Sequence, residues 1–181
     1  MRLITAALMA ASVFGATTAH AEMKLTSKDL AAGKAMADAQ VFNGFGCSGR
    51  NISPELAWSG APEGTKSFAV MAYDPDAPTG SGWWHWSVFN IPADASKIAT
   101  GASGDKKLPA GAVEGRTDFG TSGYGGACPP AGDKPHRYQF TVYALKVDKL
   151  PLPETAPGAM VGFYVRANTL DKASIEVTYG R

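Results

Sequence analysis

Two segments of this chain set histidine, carboxylate and tyrosine beside rigid turns. The first is Asp74-Pro75-Asp76-Ala77-Pro78, with Trp83-Trp84-His85-Trp86 close behind it. The second is Cys128-Pro129-Pro130, followed by His136-Arg137-Tyr138. Proline fixes φ and restricts the residue before it, so both turns have few shapes open to them. A stiff turn next to a histidine and an acid is a way to build a small polar site on a scaffold. Ordinary solvated loops do not look like this.

Beyond residue 21 the chain has just two histidines, His85 and His136, one in each segment. They are either two unrelated hydrogen-bonded side chains or two members of one site. With an aspartate they could hold a metal, but no HxH or HxxxH spacing supports that, and no metal or other cofactor is read. Of Asp74 and Asp76, one is expected to cap the local turn and the other to orient a histidine. Nucleophilic catalysis has little behind it. There is no G-x-S-x-G elbow, and Cys128 could act as a thiolate only if it is unpaired.

Gly123, Gly125 and Gly126 precede Cys128. Glycines let backbone N–H groups approach a ligand closely and form an anion-binding nest. With two histidines and a tyrosine hydroxyl, that chemistry suits a small oxyanion: phosphate, a phosphomonoester or a carboxylate. Trp83, Trp84, Trp86 and Tyr124 would supply apolar walls, although at least one of the three tryptophans is expected in the core. The Gly44-Phe45-Gly46-Cys47-Ser48-Gly49 run fits a dinucleotide fingerprint only as a bare pattern. Arg50-Asn51-Ile52-Ser53-Pro54 follows it instead of a helix, so it is set aside. Asn51-Ile52-Ser53 is a glycosylation sequon, meaningful only in a eukaryotic secretory pathway.

The elements that must position these residues are mostly strands. Ser67–Tyr73, Trp84–Ile91, Arg137–Leu145 and Ser174–Tyr179 are rich in β-branched and aromatic residues. Alternation puts Tyr138, Phe140 and Val142 on one face with His136, and Arg137, Gln139 and Thr141 on the other. The same rule puts Trp84, Trp86 and Val88 together, opposite His85, Ser87, Phe89 and Ile91. Both faces of that strand are largely apolar, so it reads as buried on both sides. Met160, Phe163, Tyr164, Ala167 and Leu170 recur at helical spacing after Pro157-Gly158. Lys28–Gln40 has helix propensity, weakened by Gly33 and poor periodicity. Residues 101–135 hold nine Gly and four Pro among thirty-five positions, which reads as an ordered loop draped beside a site. Strands with one late helix predict a mainly β domain and not an alternating β/α one.

Residues 1–21 are excluded from the fold. Arg2, an apolar run from Leu3 to Phe14 and Ala19-His20-Ala21 form a secretory signal with a small-x-small cleavage site. Residues 22–181 are then a single exported domain, periplasmic or secreted. Removing Arg2 from 17 basic residues leaves 16 against 16 acidic ones. A net charge of zero, without charge runs, argues against a nucleic-acid footprint and a polybasic membrane anchor. No later apolar stretch is long enough to span a membrane. Cys47 and Cys128 are an even count in an exported chain, which favours a disulfide over two separate buried thiols.

The two proline-turn motifs, with Val88-Phe89-Asn90 after the first and Val142-Tyr143-Ala144-Leu145 after the second, resemble the phosphatidylethanolamine-binding protein family. The Thr79-Gly80-Ser81-Gly82-Trp83-Trp84-His85-Trp86 string is similar to its bacterial Raf-kinase-inhibitor-like branch (the YbhB/YbcL type). The resemblance implies a β-sandwich of two antiparallel sheets with Greek-key features and a few short peripheral helices. It also implies a pocket for phosphate-like anions and head groups. By motif position the pocket acid is Asp74 and the strand histidine is His85. Gly126 is the backbone donor in the loop before Pro129. His136 and Tyr138 are the second histidine and the tyrosine, and Trp83 is a wall. Where many eukaryotic members carry His-His this chain has Trp84-His85, and Cys128 stands where they often have Gly. The loop between Pro78 and Trp83 is also much shorter.

The expected function is a non-catalytic binding or regulatory module for a small anion or phosphorylated ligand. The alternatives are an inhibitor presenting the pocket rim to a protease, kinase or host factor, and a weak phosphoester hydrolase. A homodimer is left open. If both histidines charge, anion binding should strengthen as pH falls through the histidine range.

Overall fold

The computed structural model describes residues 22–181; the signal-like segment 1–21 lies outside the described residues. Ten strands run through the described residues. They are β1 (Lys24–Thr26), β2 (Asn43–Gly44), β3 (Cys47–Ser48), β4 (Leu56–Ser59), β5 (Ser67–Asp74), β6 (Trp83–Pro92), β7 (Lys97–Ile98), β8 (Val113–Glu114), β9 (His136–Leu145) and β10 (Thr169–Tyr179). One α-helix, α1 (Gly158–Asn168), leads directly into β10. The strands form three antiparallel sheets among the described residues. A five-stranded sheet has the order β10-β9-β5-β6-β8, a three-stranded sheet the order β1-β4-β7, and β2 and β3 make a small hairpin.

The central strand β5 is buried almost throughout because each of its faces packs on a different layer. On one face Phe68, Val70 and Ala72 join Trp86, Val88, Tyr138, Phe140 and Val142 against Leu56, Trp58 and Ile98 of the smaller sheet. On the other, Ala69 and Met71 join Phe89 and Leu145 against Val161 and Val165 of α1. That two-sided burial explains the continuous apolar run in β5. Each fully buried Val, Leu or Phe stabilises by about 1.5–3 kcal/mol.

Three expectations are corrected. Lys28–Gln40 is not an α-helix; it holds only a 3-10 turn, Asp38–Gln40. Its backbone bonds go to the edge strand β10 instead, from Gly33 N–H to Glu176 O and from Met36 N–H to Thr178 O. In α1 the buried stripe is Gly158, Val161, Gly162 and Val165, while Met160 and Phe163 face outward, 46% and 70% exposed. The reason is close approach: a Cβ on Gly158 would lie 2.4 Å from Trp84 Cγ. Leu170 falls in β10, which begins five residues before the expected start at Ser174.

The third correction concerns β6. Its pairing with β5 skips His85, since Ala72 faces Trp86 and Tyr73 faces Trp84. The extra residue is a β-bulge, which breaks the two-residue alternation. Trp84 therefore lies toward the helix, and His85 turns to the same side as Trp86, toward Tyr138. A second irregularity sits at Asn90, which has φ +58 and separates the Val88 and Ile91 pairings.

Candidate functional site

At the end of β5 the chain turns through Pro75 and Pro78. The Asp74 carboxylate accepts from the N–H groups of Asp76 and Ala77 through Oδ1, at 2.8 and 3.1 Å. Its other oxygen accepts from His136 Nδ1–H at 2.8 Å. Asp74 thus performs both roles foreseen for the two acids: it caps the turn and orients a histidine. Both partners are nearly closed to solvent, Asp74 2% and His136 4% exposed. Asp76 does something different. It accepts from Arg137 Nε and Nη2 at 2.9 and 2.7 Å and from the Arg137 backbone N–H at 2.9 Å. That guanidinium holds the Asp76 carboxyl down at about 2. The acid turn is in this way tied to the first residues of β9.

His85 is fixed from the loop side. Its Nδ1 lies 2.8 Å from Gly125 O and 3.1 Å from Gly126 O. Carbonyls only accept, so Nδ1 carries the proton. Burial pushes the His85 pKa below its ordinary value, with the two carbonyls and the Asp74 and Asp118 carboxylates opposing that shift. The expectation that both histidines become charged is therefore opposed at His85. Its ring meets Tyr138 edge-on at 5.2 Å and Phe119 at 5.4 Å. The Tyr138 hydroxyl is buried without a hydrogen-bond partner among the described residues. Burial pushes its pKa up, so it remains a neutral donor.

Asp74, His85, His136 and Tyr138 line one cavity of about 210 Å³, with Trp83, Phe45, Phe119, Ala77, Pro78, Thr79, Cys128, Pro129 and Pro130. The structure thus brings six of the seven expected ligand residues together: Asp74, Trp83, His85, Pro129, His136 and Tyr138. Among the described residues no lysine or arginine lines the cavity. Asp133 reaches His136 from the other ring edge, with Oδ2 3.4 Å from Nε2. Among the described residues no group of three His, Cys, Asp or Glu side chains could hold a metal ion.

Gly126 is the exception. It does not line the cavity, and its N–H donates to Asn51 Oδ1 at 2.7 Å. A Cβ there would lie 2.2 Å from Gln40 O, so the glycine is needed for close packing and not for a nest. Asn51 also donates from Nδ2 to Tyr124 O at 3.2 Å, so both ends of its amide are spent inside the fold. The sequon asparagine is a structural clamp. Of the other aromatic candidates, Trp86 is core, with Nε1–H donating to Glu114 Oε1 at 2.7 Å. Tyr124 is also buried and donates to Gln40 O at 2.8 Å.

The mouth was less visible in the sequence. Cys47 and Cys128 are bonded, 2.05 Å apart, so neither presents a free thiol in this structure. The bridge ties the β2–β3 hairpin to the cavity wall. Arg181 reinforces it, donating to Pro129 O, Gly46 O and Phe45 O at 2.8, 3.0 and 3.1 Å. Phe45 stands at the hairpin tip, 68% exposed, with φ +53. Its ring stacks toward Phe119 at 5.8 Å, and Phe119 stacks on Phe42 at 4.3 Å. Phe119 is not among the apolar walls expected from the sequence.

Known proteins resemble this chain over most of its length. The family described as phosphatidylethanolamine-binding protein matches residues 26–180. YbcL of Escherichia coli K12 is 52% identical over 179 residues, covering 98% of this chain and 97% of that protein. YbhB of the same organism is 53% identical over 158 residues, covering 87% and 99%. The crystal structure of E. coli YbcL superposes with a TM-score of 0.87 at 55% identity, over 89% of this chain and 99% of that one. A homologue from Chlamydia trachomatis, CT736, gives 0.74 at 31% identity, over 88% and 98%. A Mycobacterium tuberculosis relative, 40% identical over 63% of this chain and 53% of its own length, is named as a lipoprotein, LppC.

Proposed function

The chain belongs to the phosphatidylethanolamine-binding protein family, and from that premise we propose that it is a non-catalytic binding module whose cavity takes a small oxyanion, phosphate or a phosphorylated head group. The observation that carries this reading is the Tyr138 hydroxyl. It is buried, unpaired, and set among His85, His136 and Asp74 in a cavity with apolar walls. A buried donor without an acceptor costs about 1–3 kcal/mol, and an anion oxygen would relieve that cost. Asp74 already accepts three hydrogen bonds, two from the turn and one from His136, so much of its charge is spent there. Tyr138 Oη is left as a donor for ligand oxygens, and His136 Nε2, which Asp133 Oδ2 approaches at 3.4 Å, donates as well when the ring is protonated.

Export is part of the proposal. It rests on the Arg2 to Ala21 signal pattern, the Cys47–Cys128 bridge and the lipoprotein name of the mycobacterial relative. Intact mass of protein from the periplasm should begin at Glu22 with both cysteines unavailable to alkylation. A second reading, that the rim engages a partner protein, is favoured by one feature, the exposed Phe45 at the cavity mouth.

Calorimetric titration with phosphate tests the leading reading. His136→Ala should weaken binding by the worth of a hydrogen bond to a charged group, about 1.5–3 kcal/mol. Wild-type affinity that is unchanged by both His136→Ala and Tyr138→Phe would remove the cavity as the binding site.

A further inference from the structure

We infer that this cavity selects an oxyanion that carries its own proton, a dihydrogenphosphate or phosphomonoester monoanion, over an aprotic anion of the same shape such as sulfate. The inference rests on the anion-binding reading above and deepens it.

The argument starts at His85. Two carbonyl oxygens, Gly125 O and Gly126 O, claim Nδ1. Both belong to the loop behind the ring and neither residue lines the cavity. Among the described residues no group bonds Nε2. In the neutral ring Nε2 is then a lone pair with no donor to meet it. Burial favours that neutral state, as the direction of the His85 shift agrees. A bare oxyanion oxygen facing this nitrogen would set acceptor against acceptor. A P–OH group would instead donate to it, while its other oxygens accept from Tyr138 Oη and, with the His136 ring protonated, from its Nε2–H.

The charges around the cavity point the same way. Asp74 lies within the floor and Asp133 stands 3.4 Å from His136 Nε2. Asp118 acts on His85 from the far side of β6, where it accepts from Trp84 N–H. Arg137 is engaged by Asp76, and among the described residues no lysine or arginine lines the cavity. With His85 neutral, the cationic capacity of the cavity is the His136 imidazole, which already has the Asp74 and Asp133 carboxylates beside it. A second negative charge on the ligand has nothing to meet it. A site built to hydrogen-bond a ligand group rejects an isostere lacking that group far more strongly than an apolar pocket does, because its own polar atom is left unpaired.

The test is calorimetric titration of the folded protein with inorganic phosphate, methyl phosphate and sulfate, at about pH 5.5 and about pH 8, either side of a phosphomonoester's second ionisation near ~6. At the lower pH, phosphate and methyl phosphate should each bind at least tenfold tighter than sulfate. At the higher pH methyl phosphate, having lost its only proton, should fall toward the sulfate level, while inorganic phosphate, which keeps one P–OH as the dianion, should lose less. His85→Phe keeps a buried ring but removes the acceptor, and should bring phosphate down to the sulfate level. Should that variant fail to fold, the wild-type ligand comparison still decides. Sulfate binding as tightly as phosphate at the lower pH would overturn the proton-reading role of His85 and leave the anion cavity standing. No binding of any of the three would overturn the anion cavity itself.

Discussion

On the strand side of the cavity, Asp74, His85, His136 and Tyr138 are all buried and, Tyr138 Oη apart, held by named hydrogen bonds. On the loop side, Phe45, Phe119, Pro129 and Pro130 offer no side-chain polar atom, and Phe45 is largely exposed. The strand side is positioned by β5, β6 and β9, three neighbours in one sheet. The loop side depends on a covalent bridge, one arginine and ring stacking. The difference teaches a division of labour. Polar groups that must meet a ligand atom for atom are set on rigid strands. Apolar groups that only exclude water can be hung from a hairpin, provided something anchors it.

Substitutions can break that comparison, beginning with the largest effect. Asp74→Ala removes the acceptor for His136 and for two turn N–H groups in a closed environment, so it should cost about 3–5 kcal/mol in urea unfolding. It should also abolish phosphate binding. A milder loss, with binding retained, would show that the turn holds itself.

Replacing both Cys47 and Cys128 by serine opens a loop of 81 residues. The chain-entropy cost is about 4 kcal/mol, or less where Arg181 and the aromatic stack hold the hairpin in its place. The strand side should survive, so phosphate affinity should change less than about threefold by calorimetry, even though unfolding shifts to lower denaturant. A loss of affinity as deep as that of Asp74→Ala would erase the distinction between the two halves.

Much of the strand side was legible in the sequence, and the reasons are local. The proline turns mark themselves, and the β9 alternation runs unbroken from His136 to Val142. His85 was assigned to the wrong face because a bulge inserts one residue, and a two-residue period cannot show where the pleat is interrupted. The helix stripe was misread for a related reason. Gly158 and Gly162 bury themselves by letting Trp84 come close, which a count of apolar side chains does not register. Gly126 looked like a donor because its partner, Asn51, lies 75 residues away in the chain. Phe45 gave no signal at all before the hairpin and the bridge were in place.

Smaller effects sharpen the picture. Tyr138→Phe removes a buried hydroxyl that has no protein partner, so stability should stay within about 0.5 kcal/mol of wild type or rise slightly. Phosphate affinity should nevertheless fall by about three- to tenfold, the range for a neutral hydrogen bond of about 0.5–1.5 kcal/mol. Loss of stability without loss of affinity would mean that the hydroxyl serves the fold.

Smallest is the Asp76–Arg137 pair on the rim. The Asp76 carboxyl is held at about 2 against an ordinary 3.8, so its contribution is fully present above the ordinary value. It is lost as pH falls through about 2. The pair is largely open to solvent, and its removal by Asp76→Asn should lower stability only slightly. Carboxyl NMR titration checks the direction of the shift, and a normal Asp76 titration would show that the turn is not tied to β9 through this pair.

The most direct test observes the two imidazoles while phosphate is added. In long-range ¹⁵N NMR spectra of the folded protein, His85 should appear as the Nδ1–H tautomer, with a bare Nε2. Saturating phosphate should move the His85 Nε2 and His136 signals together and leave His85 Nδ1 protonated. Saturation with both rings unmoved would contradict the assignment of this cavity as the anion site.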